Sequence, residues 1–346
     1  MTGWTGTGTS GWSVGLDIGG TKVHGVLLDA DDAVRGTARL PTQHGIDGVV
    51  GSAAEAVRQL CGAAGLAPGD LVGVGVGVPG VVDPLTGAVS HAVNLGVHAR
   101  DVPLGALLSE RLPERLSGRA GEHPAQHPAE RAAVRVAVEN DLNAAALGAA
   151  SLLDRSDLAV LALGTGLAAG LVLDGRLRRG HLGGAGEIGH LTYVLDGPLC
   201  PCGQRGCLEL YASGSAIDAV WPSRSGRPAP AEVFEAAAAG DPEALRVRDG
   251  FVDAVSAAVR LLVLTCDVER VLLAGGVAEI GAPLLEAVAS TLRRQAQRSE
   301  FLKSMRIADR LGMIPTGALV APIGAALAVR ERPRASAMTE AVPWRS

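Results

Sequence analysis

Aromatic side chains are scarce: phenylalanine, tryptophan and tyrosine make up 3% of the 346 residues, while hydrophobic residues reach 47%. Packing must therefore rest on small aliphatic side chains spread through the chain. No surplus of one charge exists either, since 31 basic and 36 acidic residues are interspersed for a formal charge of -5. That balance gives no electrostatic footprint for DNA or RNA and suits a soluble protein handling small molecules. Gly, Asp, Arg or Glu interrupts every apolar run, so none reaches the roughly 20 residues of a membrane helix. The opening MTGWTGTGTSGW has no basic stretch followed by an apolar one, which excludes a secretory signal; a cytoplasmic protein without a membrane partner is expected. Five cysteines are too few and too unevenly placed for a disulfide framework. Cys61 and Cys266 read as small core residues, and only the cluster Cys200, Cys202 and Cys207 asks for a chemical account.

What is present points to two packed domains, because the length exceeds that at which one core usually keeps growing. Residues 1–11 read as a disordered leader and 332–346 as a fraying tail. Between them, 12–139 is expected to form an N-terminal α/β domain and 140–331 a C-terminal one, with the final helix free to pack back on the first. Segments 12–20, 23–30 and 33–40 predict consecutive antiparallel strands turning at Gly19-Gly20 and around Asp29–Asp32. Helical spacing follows at 48–64, and a buried strand at 71–80 ends in a Pro-Gly turn. The polar, Pro-rich stretch 112–131, with His123 and His127, reads as an exposed excursion. A strand over 134–140 runs into a helix from 141. Strands are predicted at 158–166 and 168–175, helices at 231–240, 243–265, 281–296 and 318–331, and 270–279 reads as a strand that opens through two glycines into a helix. The halves also repeat: LDIGGTKVHGVLL at 16–28 and LALGTGLAAGLVL at 161–173 each give strand, glycine turn and strand. Two such halves can hinge and place both turns on one nucleotide.

Glycine brings backbone N–H groups close to an anion. In DIGGTK at 17–22, Asp17 suits a Mg²⁺ held through water, Thr21 a phosphate oxygen, and Lys22 the charge of a transferred phosphoryl group, around the turn at Gly19 and Gly20. Gly164, Thr165 and Gly166 suit the remaining phosphates, and Gly275-Gly276 the adenine or ribose. The first turn lacks Rossmann spacing and leads into a strand rather than a helix. In VENDLNAA at 138–145, Asn140 and Asp141 stand at a strand-to-helix junction, where short polar residues also serve as caps. Asp141 suits the carboxylate that accepts a hydroxyl proton, and Asn140 the neighbour that fixes the acceptor. Glu187 and His190, three apart, fit one turn of helix facing one ligand. Cys200, Cys202 and Cys207 with His190 give a Cys₃His set suited to structural Zn²⁺ within a loop spanning 190–207. Such a metal would lock His190 and Glu209 against the cleft.

Together these motifs, with GVGVPG at 75–80, GGAGEIGH at 183–190, CPCGQRGCLE at 200–209 and AGG at 274–276, resemble the ROK family of repressors and sugar kinases, in its bacterial glucokinase-like branch. The resemblance covers about 13–331. It implies an α/β, two-domain actin-like and hexokinase-like (ribonuclease H-like) ATPase fold with a cleft between the domains. It further implies ATP- and Mg²⁺-dependent phosphorylation of a hexose, commonly at O6, with Asp141 as base. Sugar contacts would fall at Gly80, Asn94, Asn140, Asp141, Glu187, His190 and Glu209. Structural zinc would fall at His190, Cys200, Cys202 and Cys207, and nucleotide groups at Asp17, Gly19, Gly20, Thr21, Lys22, Gly164, Thr165, Gly166, Gly275 and Gly276. A homodimer or homotetramer is implied too. One departure stands at Ala168 and Ala169, where the family usually has a glycine.

Glucose is the first expected acceptor; fructose, mannose, N-acetylglucosamine and N-acetylmannosamine are alternatives, set by the loop 91–98 through Asn94 and His98. Polyphosphate in place of ATP stays open as donor. Eleven residues before Trp12 are too few for a three-helix DNA reader, so a nucleic-acid partner is not expected. A non-catalytic sugar sensor is the reading from a different class; it would have no need of Asp141 together with the phosphate turns.

Overall fold

A computed structural model describes residues 11–112, 133–223 and 225–331. The Pro-rich excursion, except Leu112, lies outside the described residues, as do nearly all of the leader and the tail.

The first half is built from β1 (Ser13–Ile18), β2 (Lys22–Leu28), β3 (Val34–Pro41), α1 (Ile46–Ala63), β4 (Gly73–Val78), the small hairpin β5 (Val81–Asp83) and β6 (Ala88–Ser90), α2 (Leu104–Arg111) and β7 (Val136–Asn140). The helix α3 (Asp141–Leu153) leads into β8 (Leu158–Leu163), β9 (Leu167–Leu173) and β10 (Arg176–Leu177). Then come α4 (Gly214–Val220), α5 (Ala229–Ala238), α6 (Pro242–Cys266), β11 (Arg270–Ala274), α7 (Ala282–Ala296), α8 (Glu300–Met305), β12 (Leu311–Met313) and α9 (Val320–Ala328).

The two sheets share one plan. Their strand orders are β3-β2-β1-β4-β7 and β10-β9-β8-β11-β12, each an antiparallel three-stranded meander extended by two parallel strands. The duplication legible at the glycine turns thus extends to whole sheets, and a parallel strand needs a crossover, which α1 supplies in one half and α5 with α6 in the other. One core lies between the first sheet and α1 and α2, holding Leu16, Val57 and Leu108; another joins the second sheet to α5–α7 through Leu161, Phe251 and Leu284.

Between the sheets lie α3 and α9, packed on each other. They exchange partners: α3 follows the first sheet but packs on β8 and β9, whereas α9 ends the second half and packs on β1, β2 and β4. Glycine makes this middle layer close. A Cβ on Gly15 would stand 1.9 Å from the Pro322 carbonyl oxygen, and one on Gly75 only 1.7 Å from that of Ala325. Between the helices, Gly324 meets the Ala144 carbonyl at 1.7 Å and Gly148 that of Val320 at 1.9 Å on the same test. Backbone lies on backbone, with no room for a methyl.

Candidate active site

Parallel strands β1, β4 and β7 align Asp17 with Gly77 and Gly77 with Glu139. Their carboxyl ends therefore deliver Asp17, Gly80 and the pair Asn140–Asp141 to one edge of the sheet, where open α/β sheets place their ligands. Asn140 is the N-cap of α3: its Oδ1 accepts from the backbone of Leu142 at 3.0 Å and Asn143 at 3.2 Å. The same side chain donates from Nδ2 to the Gly80 carbonyl at 3.1 Å, so capping and site-building coincide in one residue. Asp141 Oδ1 accepts from Leu142 N–H at 2.8 Å, yet burial still raises its pKa. Asp17 is pushed up to about 6, by burial first, then by the charge of Asp141, against the opposing pull of Lys22. Two carboxylates feel one another in a poorly solvated pocket.

The first glycine turn closes through Gly19 N–H donating to the Lys22 carbonyl at 3.0 Å, and Thr42 Oγ1 donates to the Gly19 carbonyl at 2.7 Å. Thr21 and Lys22 are exposed. A Cβ on Gly20 would lie 2.8 Å from the Asn94 carbonyl oxygen, so the short turn Val93–Leu95 rides directly over the glycine. Gly80, at φ +109°, likewise lies beneath the Ser90 carbonyl. The loop carrying exposed Asn94 and His98 is thereby folded over the first turn.

In the second half, Ala162 pairs with Ala274, which sets the Gly164–Gly166 turn beside Gly275-Gly276. Gly275 needs its glycine, since φ is +86° and a Cβ would fall 2.6 Å from the Leu163 carbonyl. Gly164 and Gly276 face open space, and Thr165 is exposed. Gly214 N–H, at the start of α4, donates to the Gly164 carbonyl at 2.7 Å and supports the turn from below. Of the two alanines, Ala169 is 3% exposed and belongs to the C-terminal core, and Ala168 stands opposite Ala162 within the β8–β9 ladder.

The segment 183–190 lies flat on β9. A Cβ on Gly186, at φ +92°, would fall 1.7 Å from the Ala169 carbonyl, and one on Gly189 2.2 Å from that of Leu167. A 3-10 turn, Ile188–His190, then brings His190 Nε2 within 4.0 Å of Glu187 Oε2, while Nδ1 lies 3.9 Å from Cys200 Sγ. Cys202 and Cys207 sulfurs are 3.6 Å apart, and the four ligand atoms of His190, Cys200, Cys202 and Cys207 all lie within 4.8 Å of one another. A tetrahedron with metal–sulfur bonds of about 2.3 Å has edges of about 3.8 Å, so the donor set fits a single four-coordinate ion. Hydrogen bonds from Gln204 lower the Cys202 thiol to about 6, whereas burial and then the neighbouring sulfurs push Cys207 up to about 12, so Cys202 is the thiolate of this pair. Two residues beyond Cys207, Glu209 accepts from Leu167 N–H at 3.0 Å through Oε2. That oxygen would stand 2.3 Å from a Cβ on Gly166, so the metal loop, the second glycine turn and Glu209 form one unit.

Sequence reading did not single out Glu139, Arg179 or Glu331. Glu139 is 3% exposed and accepts from Arg179 Nε at 2.5 Å. Its signal lay in a buried acid directly before Asn140–Asp141; Arg179 was hidden in RLRR at 176–179, which reads as a minor basic patch.

Twin α/β sheets of one strand plan, with two helices packed on each other between them, define the actin-like class of two-domain ATPases to which sugar kinases belong. The chain belongs to the ROK family, whose model matches residues 13–116 and 125–321. It is 31% identical to a glucokinase of Halalkalibacterium halodurans across 89% of this chain and 94% of that one. A crystal structure of a ROK hexokinase from Thermus thermophilus superposes with a TM-score of 0.73 at 32% identity, covering 92% of this chain and 97% of that one. A ROK family glucokinase from Streptomyces griseus, solved with glucose and AMPPNP, gives 0.64 at 29% identity over 91% and 98% of the two chains.

Proposed function

We propose that the protein transfers the γ-phosphoryl group of ATP to O6 of a hexose, glucose first, with Asp141 as general base. The observation that carries this is the junction of β7 and α3: Asn140 is anchored to Gly80, and Asp141 is held beside it with a raised proton affinity. A base whose pKa is raised towards neutrality takes a hydroxyl proton more readily than an ordinary carboxylate. As the sugar oxygen bonds to phosphorus, the bond to the ADP oxygen breaks and the hydroxyl proton passes to Asp141. Asn140, Gly80, Asn94, Glu187, His190 and Glu209 hold the sugar in this reading. The turns Gly19–Lys22 and Gly164–Gly166, with Gly275-Gly276, hold the phosphates and nucleoside; Asp17 holds Mg²⁺ through water, and the ion would neutralise charge on the phosphates. Likeness to a glucokinase and to a ROK family glucokinase solved with glucose and AMPPNP supports this reading, and the loop 91–98 is where preference among glucose, mannose, fructose and the N-acetylhexosamines is set.

The Cys₃His set holds structural Zn²⁺, with His190 Nδ1 on the metal side and Nε2 left to face Glu187 and the sugar. Domains 12–139 and 140–331 hinge at α3 and α9. Exposed Tyr193, Val194, Leu195 and Leu199 within the metal loop favour self-association into a homodimer or homotetramer, which sedimentation tests. No helix of the described residues is long and apolar enough to cross a membrane, in keeping with a cytoplasmic enzyme. Asp141→Asn should lower turnover by at least about 100-fold, the loss of a general base, while sugar affinity by calorimetry stays within about threefold. Normal turnover in that variant would remove Asp141 from its role.

A further inference from the structure

Between β10 and the sugar loop lies an ion pair that the proposed chemistry does not use. Arg179 projects from the second half to the end of β7 in the first, where its Nε donates to Glu139 Oε2 at 2.5 Å. The other oxygen of Glu139 accepts from Asn140 N–H at 3.1 Å and from Asn143 Nδ2 at 3.0 Å. Glu331, just past α9, stands 3.8 Å from Arg179 Nη2. Burying a carboxylate as deeply as Glu139 carries a desolvation cost that an ion pair and hydrogen bonds offset.

A plain structural clamp would explain a buried pair between the two halves. Here, however, both ends abut site residues. Glu139 holds the first turn of α3, the turn that presents Asn140 and Asp141. On the other side, the Arg179 carbonyl accepts from Ala185 N–H at 3.1 Å, closing the loop that delivers Gly186 and Glu187 onto β9. Surface pairs are worth little, but this one is desolvated at its acid and spans the two elements that must be held at one distance across a sugar.

We propose that Arg179 is a positioning residue: through Glu139 it fixes the sugar loop Glu187–His190 against the base-bearing start of α3. The inference rests on the kinase reading, and its test separates the two. Four full-length variants serve: Arg179→Met, Arg179→Lys, Glu139→Gln, and the double Arg179→Met/Glu139→Gln. Arg179→Met strands a buried acid, whereas the double variant removes both charges and should unfold no earlier than the single one.

In steady-state kinetics Arg179→Met is expected to raise the sugar KM about tenfold and lower kcat/KM for sugar by about 10- to 100-fold, with the ATP KM changed by less than about twofold. Arg179→Lys should recover part of the loss. The double variant should be no worse than Arg179→Met, because the two residues act as one unit. Backbone hydrogen exchange, read without ligand, should quicken both at 180–190 and at 140–143 in Arg179→Met and in Glu139→Gln. Unchanged sugar KM with only a lowered apparent kcat, or faster exchange on one side alone, would overturn the proposal. If the wild-type chain phosphorylates no hexose, the kinase reading fails by itself and the exchange result decides the brace.

Discussion

At Asp17 two opposing forces meet in one side chain. Burial and the neighbouring Asp141 let folded Asp17 keep its proton up to about 6, against an ordinary value of 3.8. Between those values the folded state binds more protons than the unfolded one, so stability falls as the pH rises through that window and stays lowered above it. Asp17→Asn should therefore raise the Tm of the ligand-free protein at pH 7.5, by a free energy of about 3 kcal/mol at most, and leave it unchanged near pH 3. The same variant should lose turnover. Equal melting of variant and wild type at pH 7.5 would show that Asp17 carries no burial penalty. At the metal loop, Cys202→Ser replaces a thiolate with a hydroxyl that zinc binds poorly. Zinc content by mass spectrometry should drop below one equivalent per chain, and sugar affinity should weaken because His190 and Glu209 lose their anchor. Full zinc with unaltered affinity would contradict the assignment. Asn140 shows why residue-level reading stops where it does: a cap and a ligand group carry the same signature, and the structure shows the cap together with an anchor to Gly80. Arg179 was illegible because three arginines around one leucine look like solvated surface; its partner lies 40 positions upstream and becomes a neighbour only through the sheet.

At the scale of elements, the strands, glycine turns and long helices were legible because their periods and breakers are local. The middle layer was not. Gly15, Gly75, Gly148 and Gly324 lie inside strands or helices, where glycine usually weakens the element, and nothing in sequence tells a costly glycine from one on which another backbone rests. Gly324→Ala decides which effect wins. Helix propensity alone favours alanine by about 1 kcal/mol, but the added methyl would stand 1.7 Å from a backbone oxygen. Destabilisation of about 2 kcal/mol is expected from overpacking, read by urea unfolding. Gly250→Ala on α6, where a Cβ meets nothing within 4 Å, should instead stabilise by about 1 kcal/mol. A gain at both positions would mean that α3 and α9 are not in contact.

For the whole molecule, duplication explains more than any single motif. One strand plan used twice puts a glycine turn after the first strand of each sheet, and α3, which follows the first sheet, packs on the second while α9 packs on the first. The duplicated turns were visible at 16–28 and 161–173, and the sequence reading already placed the helix from 141 with the second half and left the final helix free to pack on the first; what it could not give was the direct contact between the two helices. In the proposed reading the two halves close over a sugar, and the quantity that tests it is turnover. The decisive measurement is sugar-dependent ADP formation by the purified chain with Mg-ATP across hexoses and N-acetylhexosamines, with Asp141→Asn as control. The account predicts strong release with glucose that the control abolishes. Release equal in the control, or none with any sugar, would contradict it.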